Sequence, residues 1–249
     1  MKRASKQPVA EPTPLSREVP DGAADDVVDR ICATLADAIA EGALKPGVKI
    51  MEDALGDHFG VSRTVVRGAL GMLQREHLLE RKKNRGTFVA EPTVEDAKNL
   101  FEARRALENV VLGHVFERAT AADFNRLDEI VAGEQRIHDA MDEAAKNKLS
   151  GQFHLELARI GGNGVLTELL AKVVARISLV MALYKMEAHD DCGTDYHHAI
   201  IVDLRRRDLA AARARMSEHL ADIEGRVMLT PAQGDRHTFV SILKAFTPA

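Results

Sequence analysis

A mainly α protein, with an N-terminal winged helix-turn-helix followed by an all-helical bundle of six or seven helices, is what this 249-residue sequence predicts. Three observations predict it. Apolar residues recur at three- and four-residue spacing along almost the whole chain from Asp25 onward. The period shortens to two at one place, about the turn Asn84-Arg85-Gly86. The composition is 45% hydrophobic but only 4% aromatic, with no Trp, so the core is aliphatic and suits helices packed through Leu, Ala, Val and Ile.

Residues 1–22 carry Pro8, Pro12, Pro14 and Pro20 among charged and small residues and read as a disordered arm. From Asp25, Val28, Ile31, Leu35 and Ile39 form one apolar stripe, and Gly42 and Pro46-Gly47 end that helix. Residues 52–59 make a short second helix. Gly60 turns the chain and Ser62 caps a third helix over 63–76. Leu78–Arg81 and Thr87–Val89 then alternate about the glycine turn as a β-hairpin, and Pro92 closes a domain of residues 23–92. From Val94 no strand signal appears. Helical periods run at about 95–117, 121–144, 147–160, 164–188, 195–206 and 208–229, filling a second domain of residues 93–230. Their breaks are Thr120, Gly161-Gly162-Asn163, Asp190 to Thr194 and the corner Arg205–Asp208. Beyond Pro231 the pattern fades into a tail, 231–249, in which Phe239, Val240, Ile242 and Leu243 suit one further short helix.

The formal net charge is -4, yet residues 62–86 hold seven Lys and Arg against two Glu, a basic surface on an acidic protein. Within it, Arg63 and Arg67 lie four apart and share one helical face, while Val66, Ala69, Leu70 and Leu73 occupy another. One side is built to be buried and the other to present guanidinium forks to phosphates and base edges, so DNA binding is the leading expectation over a merely solvated basic helix. One winged helix reads only a short half-site, which implies a homodimer on a pseudo-palindromic double-stranded operator. Cys32 and Cys192 have no metal or redox spacing and read as free thiols. With no signal peptide and no apolar run near ~18 residues, a cytoplasmic location without membrane contact is expected.

Three histidines stand apart. His154 follows Phe153 on an amphipathic helix, and His197 and His219 are 22 residues apart. On one straight helix that is about 33 Å, too far to share a ligand. The Arg205–Asp208 corner permits a reversal that can bring His197 beside His219, with His154 from a third helix, and three imidazoles converging inside a bundle would suit Zn²⁺, Ni²⁺ or a similar divalent transition metal. Taken singly, each is more often a satisfied core or surface residue. His198 points about 100° away from His197 and falls outside the group. Arg104, inside the bundle, needs an anionic partner: an effector carboxylate, or a structural salt bridge with Glu108 or another acid.

The chain resembles the GntR family of bacterial transcription regulators, in its FadR-type branch with a helical FCD effector domain. The residues that carry the resemblance are Gly42-Ala43-Leu44-Lys45-Pro46-Gly47, Gly60-Val61-Ser62-Arg63-Thr64, Val66-Arg67, Ala69-Leu70, Leu73 and Arg85-Gly86. In the second half they are Glu102 to Glu108, Phe153-His154, Asn163, His197 and His219, so that the match spans about residues 25–225 in order. The resemblance implies that Arg63 and Arg67 contact guanine edges or phosphates and that Ser62 and Thr64 donate to the DNA backbone. It implies too that the wing tip Arg85-Gly86 approaches the minor groove. In the second domain it implies a divalent metal held by His154, His197 and His219, and a small organic acid effector gripped by Arg104. The sequence departs from the family at Val65 for Pro, Gly68 for Glu, His77 for Gly, Asp53 for an Arg of some members, and Ser150 for the Asp that precedes the first histidine by one turn. Two other functions compete with a ligand-responsive regulator. One is a helical metal-dependent phosphohydrolase of the HD type, echoed by His154 and His189-Asp190; the other is a structural DNA-binding protein without an effector.

Overall fold

The computed structural model describes residues 21–139, 143–186, 193–231 and 239–247. The first domain is α1 (Asp21–Ala40), α2 (Glu52–Phe59), α3 (Arg63–Arg75) and the wing β1 (Leu79–Lys82) and β2 (Gly86–Val89). Helix α1 starts at Asp21, before the expected Asp25, and takes in the last two residues of the arm assigned to 1–22, whose residues 1–20 lie outside the described residues. Gly60 adopts φ 66° at the C-terminus of α2, a left-handed position that glycine takes without strain, and Ser62 then caps α3. The wing strands pair antiparallel with Leu79 opposite Val89 and Lys82 opposite Gly86. Asn84 at φ 60° and Gly86 at φ 105° make the turn. Ile31, Leu35 and Ile39 of α1 meet Leu55 of α2 and Val66, Ala69, Leu70 and Leu73 of α3 in one aliphatic core.

The second domain is α4 (Val94–Arg118), α5 (Ala121–Asp139), α6 (Glu143–Gly161), α7 (Gly164–Leu183), α8 (Gly193–Arg205) and α9 (Leu209–Arg226). Thr93 and Asp96 form a reciprocal capping box at the start of α4, which sets the helix going directly after the Pro92 linker. Asn163 caps α7, and Asp208 accepts the Ala211 amide at 2.9 Å to start α9 after the reversal, where Arg207 stands at φ 60°. Val111, Leu112, Val115, Leu127, Phe153, Leu157, Ile200, Leu204 and Leu220 fill the bundle core.

The expectation of no strand beyond Val94 is corrected. Helix α7 stops at Leu183 and α9 at Arg226, and both run straight into a short ribbon, β3 (Tyr184–Met186) and β4 (Val227–Pro231). Each strand continues the apolar pattern of the helix before it, so a segment this short shows no period of its own. Tyr184 at the head of the ribbon donates its hydroxyl to the Pro92 carbonyl at 3.0 Å, fastening the ribbon to the linker between the domains.

The short helix expected in the tail exists as α10 (Phe239–Phe246), but it is not free. Phe239, Ile242 and Leu243 enter the core of the first domain, and the Thr247 hydroxyl meets His58 Nε2 at 2.7 Å. Leu179 of α7 joins the same core, while Ile177 and Val180 pack against Phe101 of α4, so α7 spans both domains.

Candidate functional site

The residues expected to act fall into two groups of side chains. The first is the exposed face of α3. Val65 N–H bonds the Ser62 hydroxyl at 3.5 Å, fixing the helix start, and the buried side of α3 turns its opposite side outward. Arg63, Thr64, Arg67 and Gly68 stand there, the two arginine side chains 69% and 66% exposed. A Cβ added at Gly68 meets no described atom within 4 Å. Each arginine is held lightly by an acid of α2: Arg63 by Asp53 and Arg67 by Glu52, both at 2.9 Å. Such exposed pairs contribute ~0–1 kcal/mol, so a phosphate or guanine edge can replace them. At the wing, Arg85 is exposed and lies over the Phe88 ring, and Lys49 closes on Gly86, so the tip of the hairpin is basic.

The second group lies inside the bundle. His154 on α6, His197 on α8 and His219 on α9 converge, their ligand nitrogens all within 4.8 Å of one another and their side chains buried. His219 Nε2 is 3.1 Å from His197 Nε2 and 3.3 Å from His154 Nε2. Phe153 stacks on the His197 ring at 4.0 Å between centroids, which holds that imidazole flat. Gly193, the first residue of α8, leaves room for His219: a Cβ there would stand 2.9 Å from His219 Cε1.

Carboxylates stand behind two of the imidazoles. His154 Nδ1–H donates to Glu108 at 2.6 Å, and His197 Nδ1–H donates to both oxygens of Glu134 at 2.8 and 3.0 Å. Glu108 also accepts from Arg104 Nε at 2.6 Å. Arg104 thus forms the salt bridge with Glu108 that its i,i+4 spacing allows. Burial alone raises the Glu108 carboxyl, but His154 and the Arg104 guanidinium outweigh it and bring it down to about 2. Burial first, and then the Arg104 charge, push His154 down to about 3. At neutral pH His154 is therefore uncharged, with its proton on Nδ1 and the Nε2 lone pair turned to the cluster.

This arrangement fits a divalent transition metal. Three imidazoles on three helices aim nitrogen atoms at one point, two of them oriented by carboxylates, as metal-ligating histidines are. Ser150, one turn before His154, is half-buried. His198 is exposed on α8, away from the cluster, and the His189-Asp190 pair and Cys192 lie outside the described residues. Glu134 escaped the sequence reading. Its signal is a carboxylate at the next core-facing position after Leu127 and Val131 on α5.

The chain matches two family models, "Bacterial regulatory proteins, gntR family" over residues 27–89 and "FCD domain" over residues 99–222. It is 28% identical over 229 residues to the Uxu operon regulator of Haemophilus influenzae, covering 84% of each chain. It is 29% identical to the HTH-type transcriptional regulator LutR of Bacillus subtilis, over 75% of this chain and 94% of that one. Among solved structures it resembles a putative GntR transcriptional regulator from a Rhodococcus species, with TM-score 0.72 and 28% identity over 80% of this chain and 96% of that chain. Escherichia coli McbR/YncC shares the fold, with TM-score 0.70 and 19% identity over 79% and 94% of the two chains.

Proposed function

The chain belongs to the GntR family of bacterial regulatory proteins and carries an FCD effector domain, and from that premise we propose that it binds a pseudo-palindromic operator as a homodimer, with affinity set by a small carboxylate bound beside a metal in the bundle. The matched families and relatives are transcription regulators and not enzymes, which removes the phosphohydrolase alternative. No helix among the described residues is long and apolar enough to cross a membrane, in keeping with a protein that works on DNA in the cytoplasm.

The observation that carries the DNA reading is the outward face of α3. Arg63 and Arg67 supply guanidinium forks, Ser62 and Thr64 supply hydroxyls, and Gly68 leaves the helix surface low enough to sink into a major groove. Arg85 and Gly86 at the wing tip suit the neighbouring minor groove. The support for a homodimer is an apolar face shared by α4 and α7. Val110, Val165 and Leu169 are 44, 68 and 46% exposed, and Leu169 borders a groove of about 470 Å³ floored by Ala106, Leu107 and Val173 and edged by Arg75, Lys172 and Arg176. A second copy covers such a face more economically than water does.

In the bundle, His154, His197 and His219 would hold the ion; when bound, it joins three helices and offers its remaining positions to an anionic oxygen. The Arg104–Glu108 bond uses one of the five guanidinium donors, so the rest of the fork can take an effector carboxylate. The three histidines are buried, so ligand entry must move part of the bundle around them. Helix α4 leads to the Pro92 linker, and α9 leads through β4 and β3 to the Tyr184–Pro92 bond, so movement of either would reach the DNA-binding domain.

The test is selection of bound duplexes from a random DNA pool by purified protein. Enrichment of an inverted repeat, occupied by two chains, is the expected result. Enrichment of a direct or single site refutes the dimer on a palindrome, and no enrichment at any effector condition refutes specific DNA reading.

A further inference from the structure

We propose that Glu134 on α5 is the residue that turns the histidine cluster into a trap for a divalent cation, by orienting His197 and by setting behind it a carboxylate that, among the described residues, no Lys or Arg engages. The proposal rests on the reading of His154, His197 and His219 as metal ligands. Glu108 and Glu134 stand behind the cluster, but they are held differently. Glu108 divides its oxygens between Arg104 and His154. Both oxygens of Glu134 turn to His197 Nδ1, and among the described residues no Lys or Arg stands at ion-pair distance from it. The two glutamates therefore do different work. Glu108 is shared with a guanidinium, whereas Glu134 serves His197 alone. A carboxylate behind a ligating imidazole fixes its tautomer and raises its basicity, which favours a cation on Nε2.

The family's anionic ligand is absent here, because Ser150 stands at its position. Glu134 instead places a carboxylate behind a histidine. Both carboxylate oxygens face Nδ1, and the ring is clamped on its flat side by Phe153, so the Nε2 atom has a single direction in which to point. Helix α5, which contributes no ligand, is thereby tied to metal occupancy through α8.

Glu134→Gln isolates the charge, since the amide carbonyl still accepts the His197 Nδ1–H and the size is unchanged. Zn²⁺ and Co²⁺ affinities of tag-free wild type, Glu134→Gln and Glu134→Asp are measured by chelator competition, and thermal midpoints are taken with and without metal. Glu134→Gln is expected to weaken metal binding by about 10–100-fold. Its gain in midpoint on metal loading should shrink. Glu134→Asp keeps the charge and should hold metal better than Gln, which also serves if the Gln variant fails to fold. Wild-type metal affinity in Glu134→Gln overturns the proposal while leaving the metal centre intact. A fall in the metal-free midpoint with unchanged affinity makes Glu134 a packing residue and overturns it too. If wild type binds neither ion, the metal centre itself is wrong, and Glu134 has no such role.

Discussion

Gly193→Ala tests whether the histidine cluster is held to metal-binding tolerance. The added methyl would lie 2.9 Å from His219 Cε1 and 3.9 Å from His197 Cε1, so the perturbation falls on one imidazole. Ordinary carbon contacts begin near ~3.5 Å, so His219 or the start of α8 must give by about 0.6 Å. Ligand distances at a metal centre are held within about 0.2 Å, and a productive geometry survives displacements of at most about 0.5 Å. The ring thus moves beyond what the ion tolerates. We expect metal affinity to fall at least about tenfold, or about 1.4 kcal/mol. Overpacking should also destabilise the metal-free protein by about 1–3 kcal/mol. The assay is Zn²⁺ titration against a competing chelator, together with thermal unfolding of the metal-free form. A variant with wild-type affinity and midpoint would refute the reasoning, because α8 would then yield freely at its first turn and Gly193 would not set the place of His219.

Arg63→Ala and Arg67→Ala are each expected to lose about 1–3 kcal/mol of specific operator affinity, with helicity and oligomeric state unchanged; near-native gel-shift affinity in either removes it from the reading face. Arg104→Lys keeps the buried charge beside Glu108 but loses the planar fork, so across a panel of organic acids it should abolish the effector's influence on operator affinity. An acid that acts equally on both proteins shows that Arg104 serves Glu108 alone. Ser150→Asp should tighten Zn²⁺ binding by adding an anionic ligand one turn before His154; unchanged binding would show that Ser150 faces away from the cluster. Gly68→Ala fills open space on α3 and should stabilise the fold by about 1 kcal/mol, raising the midpoint by about 2–4 °C. A lower midpoint would mean that the helix is not free at that face.

The parts of the site that sequence reading reached are those written locally. A cap at Ser62, two arginines four apart and a complementary apolar stripe are one helix's worth of information. The i,i+4 spacing of Arg104 and Glu108 allows the salt bridge that forms, though it leaves an effector carboxylate equally open, and Asp208 marks the reversal that returns His219 to His197. The convergence of all three histidines needed the family resemblance as well, since spacing alone allows many pairings. Glu134 lies 63 residues from His197 in sequence, and no short-range pattern joins them. Its position on a core-facing stripe marks it as unusual without saying what it serves. The β3–β4 ribbon was hidden because tertiary pairing, and not propensity, ends α7 and α9. The docking of α10 is likewise a fact of packing between distant segments.

That docking has a consequence for biosynthesis. The interior of the DNA-reading domain holds Ile31, Leu35 and Leu70 from early in the chain together with Leu179, and with Phe239, Ile242 and Leu243 from more than a hundred residues later. Translation delivers residues 27–89 first, with part of their apolar surface still awaiting its cover. A nascent regulator therefore leaves the ribosome with its reading head formed in outline but unsealed. Completion waits on a segment made after every histidine of the proposed sensor. A chain cut short before Phe239 would carry the whole histidine cluster and both arginines of α3, yet lack the lid of the domain that holds them to DNA.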